Sequence, residues 1–101
     1  MGNGMMVAPE AGKFIDQHSL SPALDVIGAT VRETYQRVER VAVELQEDPE
    51  VEDFECLVVT LRVQGTIAEL LESERKTRSL LRRRLRAEDY RKFALTYEIP
   101  A

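Results

Sequence analysis

The densest chemistry in this chain is cationic. Residues 75 to 92 hold nine of the fourteen lysines and arginines and only two acids, Glu88 and Asp89, in a chain whose formal net charge is −4. Guanidinium groups packed this closely can neutralise phosphates or grip carboxylates through paired N–H donors. On a helical wheel Arg75, Arg82 and Arg86 form a stripe at one flank, while Lys76, Arg83 and Arg84 spread around the back. Glu74 and Arg78 stand four residues apart, acid before base, the favourable order for a local ion pair. Arg75, Arg78, Arg82, Arg83, Arg84 and Arg86 are therefore the candidate partner-binding residues. The helix dipole favours cations in the last turns whatever their function, so density alone does not assign a partner.

A second charged cluster, "EDPEVEDFE", runs from Glu47 to Glu55. Carboxylates at this density can hold a hard cation, but the spacing lacks the central glycine and terminal glutamate of an EF-hand loop. It reads as a solvated acidic loop. Catalysis finds few parts elsewhere. There is one histidine, His18, and one cysteine, Cys56, and no H-x-x-x-H, C-x-x-C or G-x-S-x-G. No glycine-rich turn follows a strand to cradle a phosphate. The sequence calls for no cofactor and no metal, and the expected protein is not an enzyme. Cys56, inside an apolar run, is expected to fill the core as a small hydrophobe.

These residues need elements to position them. Residues 1–12, rich in glycine, read as a flexible leader, and 13–101 as a single small domain. In "KFIDQHSL", Phe14, Ile15 and Leu20 can cover one end of the core. "SPALD" opens a helix, with Ser21 as N-cap and Pro22 in the first turn. From there Leu24, Ile27, Val31, Thr34, Val38, Val41 and Leu45 recur at spacings of three and four, which predicts one amphipathic helix from Ser21 to about Glu47. "FECLVVTLRV" is a strand with one face apolar throughout and the other apolar at its start, so cover is expected on both sides. Gly65 turns the chain, and Thr66 with Glu69 forms a T-x-x-E capping box before a second helix. Ile67, Leu70, Leu71, Leu81 and Leu85 share its inner face. "FALTYEI" alternates as a closing strand with one buried face.

The order helix, strand, helix, strand predicts a two-layer α/β or α+β fold with one βαβ unit, its strands parallel. Two strands make a small sheet, so a homodimer is expected to complete the sheet or core, with Val31, Tyr35, Val38, Phe54, Cys56 and Val58 at the interface. The topology also returns the arginine-rich helix end to the start of the first strand, beside the acidic loop, where the two charge blocks would partly neutralise one another.

The stretch from "QEDPEVEDFECLVVTLRVQGTIAELLE" to "ALTYEI" resembles small uncharacterised bacterial α/β proteins with an acidic D-P-E turn, an L-V-V strand, a helix and a closing strand. The resemblance covers roughly half of the chain and implies a bacterial accessory protein that works with a neighbouring gene's product. No apolar run approaches the ~20 residues that span a bilayer, and none follows a basic start as a secretion signal, so a cytoplasmic location is expected. The leading functional reading is a homodimeric protein-binding or regulatory accessory protein. Nucleic-acid binding through the arginine helix is the alternative, and a metal-dependent activity at the acidic loop 47–55 the third.

Overall fold

A computed structural model describes residues 5–47 and 55–99. In chain order the elements are β1 (Met5–Val7), α1 (Pro9–Gln17), α2 (Ser21–Thr34), β2 (Val38–Glu47), β3 (Glu55–Val63), α3 (Ile67–Arg84), α4 (Ala87–Tyr90) and β4 (Phe93–Glu98). The strands form one mixed sheet in the order β1-β2-β3-β4. β1 runs parallel to β2 and β3 parallel to β4, while β2 and β3 pair antiparallel. The fold is α+β, two βαβ units placed back to back. The expected unit, β3-α3-β4, is the second of them.

The helix expected from Ser21 to Glu47 ends at Thr34, and its second half is β2. Both periods are written into this stretch. Val38, Val41 and Leu45 continue the helical spacing, while Val41, Val43 and Leu45 alternate with Ala42, Glu44 and Gln46 at the period of a strand. Tyr35 and three valines tilt the local preference toward strand. Partners on both sides settle it: Val41 pairs with Met5 and Leu61, and Val43 with Val7 and Val59. Two further expectations change with it. Residues 5–12 are not a loose leader, since Met5–Val7 is a strand and Pro9 opens α1. The sheet also has four strands within one chain, which removes the argument that a second copy must complete it.

In-register partners share a face, so Val41, Val43, Leu57, Val59, Leu61 and Val63 form one wall, each almost wholly buried. Against this wall pack Phe14 and Ile15 of α1, Leu20, Leu24, Ile27 and Val31 on and before α2, and Leu70 and Leu81 of α3. The opposite face, with Cys56, Val58, Thr60 and Arg62 on β3, is only half-buried. Cover on both sides of β3 is thus corrected, and Cys56 lies on the open face rather than in the core.

The α3 start follows its sequence signal. Gly65 turns the chain at φ +147°, a conformation that L side chains rarely adopt. Thr66 Oγ1 accepts from the Glu69 amide at 3.2 Å, and the Glu69 carboxylate accepts from the Thr66 amide at 2.9 Å. Ile67 and Leu71, expected inside, are exposed, and Leu70 between them is the side chain that this end of α3 buries. Ser21 is the first residue of α2, and its side chain makes no capping bond. Among the described residues, no helix is long and apolar enough to cross a membrane.

Candidate partner-binding surface

The arginines of α3 divide by what they touch. Arg84 points toward α2, donating to Glu33 at 2.5 Å and to the Thr30 hydroxyl at 2.9 Å. That hydrogen bond holds the Glu33 carboxyl below its ordinary range. Arg78 pairs with Glu74 at 2.8 Å, as the spacing predicts. Arg86, past the helix end, reaches Glu88 and Asp89, each at 3.5 Å. These three guanidinium groups serve the fold or its rim.

Arg75, Arg82 and Arg83 differ. All three are exposed, and no carboxylate pairs with any of them among the described residues. With Arg78 and Ser79 they line one depression of about 450 Å³ on the outer surface of α3. Their spacing along the helix spans about 12 Å at ~1.5 Å per residue. The proposed neutralisation by the acidic loop concerns residues 48–54, which lie outside the described residues. Its two described ends, Glu47 and Glu55, face each other across the β2–β3 hairpin. The described partners of the arginines are instead Glu74, Glu33, Glu88 and Asp89, all within or beside the helical layer.

The residues expected at an oligomer interface are not brought together. Val31 and Tyr35 are buried in the chain's own core, and Val38 packs against that core. Cys56 and Val58 lie on the open sheet face. Phe54 is outside the described residues. Tyr35 is held by burial, with Glu74 nearby, so that its phenol pKa is pushed up to about 12. It stays protonated at neutral pH and offers no general base there. Among the described residues, no cluster of histidine, cysteine, aspartate or glutamate has the geometry to hold a metal ion.

Sequence reasoning treated the closing strand only as a buried wall. β4 is in fact an edge of the sheet, and its inward side chains Phe93, Leu95 and Tyr97 are only half-buried. Phe93 and Leu95 border a groove of about 270 Å³ shared with Ile27, Leu81 and Tyr90 and rimmed by Arg78 and Arg91. Among the described residues β4 follows a crossover from β3, which already pairs with β2 on its other side, so β4 has one strand neighbour.

No protein family, no curated protein and no solved structure matches the chain.

Proposed function

We propose that the protein is a non-enzymatic accessory protein that binds an acidic segment of another protein through Arg75, Arg82 and Arg83. The observation that carries this reading is the presence of three exposed guanidinium groups without carboxylate partners on one helix face of an otherwise acidic chain. Guanidinium groups bind carboxylates in a planar, two-point geometry, so an acidic protein segment fits these donors. The patch is short and the net charge is negative, whereas a nucleic-acid surface needs a broad basic stripe to release many counterions. The same reading takes the protein as cytoplasmic, where its single thiol stays reduced.

Titrating the chain against a labelled polyglutamate peptide and, separately, against single- and double-stranded oligonucleotides of matched charge tests the assignment. Polyglutamate is expected to bind, and Arg75→Glu with Arg82→Glu and Arg83→Glu to abolish it. Tighter binding of an oligonucleotide, weakening steeply with salt, would transfer the surface to nucleic acid. Unchanged peptide binding in the triple variant would remove the surface from the argument.

A further inference from the structure

We infer that the protein forms a two-fold symmetric dimer in which β4 pairs antiparallel with β4 of a second copy, Leu95 lying on the axis. This rests on the sheet edge and not on the arginine face.

The edge is chemically open. Leu57 donates its amide to the carbonyl of Lys92 at 2.7 Å. Lys92 itself donates its N–H to the Asp89 carbonyl, and because the polar groups of successive strand residues alternate sides, Ala94, Thr96 and Glu98 turn their N–H and C=O toward β3. Phe93, Leu95 and Tyr97 therefore aim theirs outward, away from the sheet. The strand spans six residues from Phe93 to Glu98 and carries neither proline, bulge nor inward-pointing charge, the usual devices that blunt an edge. The opposite edge, β1, has only three residues.

The strand is complementary to itself. Pairing that keeps the helix-side and open-side faces aligned sets odd residues opposite odd ones. With Leu95 on the axis, Phe93 of each copy meets Tyr97 of the other, and both have outward polar groups. The paired residues then exchange about six backbone hydrogen bonds. On the open face Ala94 meets Thr96, and at each end Lys92 meets Glu98 with opposite charge. Shifting the axis to any neighbouring residue loses both Lys92–Glu98 pairs. Neither side chain is committed to an ion pair among the described residues: Lys92 donates to the Glu88 carbonyl, and Arg62, beside Glu98 in register, pairs with Glu39. The half-buried Phe93, Leu95 and Tyr97 gain cover from their counterparts. Arg78 borders both the β4 groove and the arginine depression, so pairing places the two arginine faces on either side of the axis.

The test uses charge reversal at two surface residues, followed by sedimentation over a concentration series. Lys92→Glu and Glu98→Lys, each alone, set like charges opposite one another at both ends of the strand pair. Each is expected to raise the dimer dissociation constant by about fourfold to several hundredfold, at ~0.2–1 kcal/mol for each of the two cross-strand pairs lost and a similar cost for each repulsion added. Mixing the two variants restores both attractions in a heterodimer, and the double variant restores them in a homodimer. A chain that stays monomeric throughout overturns the inference. So does a dimer whose dissociation constant neither reversal changes or whose strength mixing does not recover.

Discussion

The hydroxyls of Thr34 and Thr77 lie 2.5 Å apart across the α2–α3 interface. Thr77 is fully buried, and its Oγ1 also lies 2.7 Å from the Ser73 carbonyl, while Thr34 Oγ1 lies 3.0 Å from that of Thr30. Each hydroxyl carries one proton, so the two cannot satisfy both carbonyls and each other at full strength. Thr77→Val keeps the shape and leaves Thr34 to bond Thr30 alone. It is expected to cost about 1 kcal/mol. Thr77→Ala adds a small void and is expected to cost roughly 2 kcal/mol. Urea unfolding separates them, the midpoint moving at unchanged slope.

The cap of α3 should show in acid. The Glu69 carboxyl is held below its ordinary 4.5 by the bonds it accepts from the Thr66 amide and hydroxyl. A depressed carboxyl stabilises the fold above its unfolded value and loses that contribution as pH falls through the folded one. Thr66→Ala removes the hydroxyl cap and is expected to cost about 1 kcal/mol near neutral pH. Its stability should also fall less steeply below pH 4.5 than that of the parent, measured by denaturation at stepped pH.

Alkali tests Tyr35. Its folded pKa, pushed up to about 12 from an ordinary 10.0 chiefly by burial, means that the unfolded chain gives up the proton first. The folded state therefore binds more protons in that interval, and stability falls as pH rises from about 10 to about 12. Tyr35→Phe is expected to flatten this fall, followed by unfolding at stepped pH with phenolate absorbance as the marker.

The two faces of β3 should answer differently to truncation. Leu61 is fully buried in the wall, and Leu61→Ala is expected to cost about 3 kcal/mol. Cys56, half-buried on the open face, has no such enclosure, and Cys56→Ala is expected to stay within about 1 kcal/mol. Equal losses at the two positions would mean that the open face is covered in solution.

What the residues announced and what they concealed have separate physical causes. The α3 cap, Gly65, the β3 wall and the Glu74–Arg78 pair are local patterns, and each stands where its spacing puts it. The helix-to-strand change at Tyr35 was hidden because Val38, Val41 and Leu45 satisfy both periods, and long-range pairing with β1 and β3 decides between them. β1 was hidden by brevity, three residues among glycines. The candidate arginines were legible as a group. Which of them are consumed was not, because Glu33 lies 51 positions from Arg84 and only the packing of α2 on α3 brings them together.

That double periodicity has a consequence for the chain as it is made. When Glu47 has emerged from the ribosome, the neighbour open to β2 among the described residues is β1, and it offers three residues. The nine-residue β3 is still enclosed in the exit tunnel and cannot pair with β2. Until it arrives, one short neighbour satisfies few of the backbone groups of residues 38–47, and their helical spacing leaves continuation of α2 as a competing arrangement. Pairing with β3 is thus the step that commits residues 38–47 to strand, and the buried wall shared by the two strands cannot form before it.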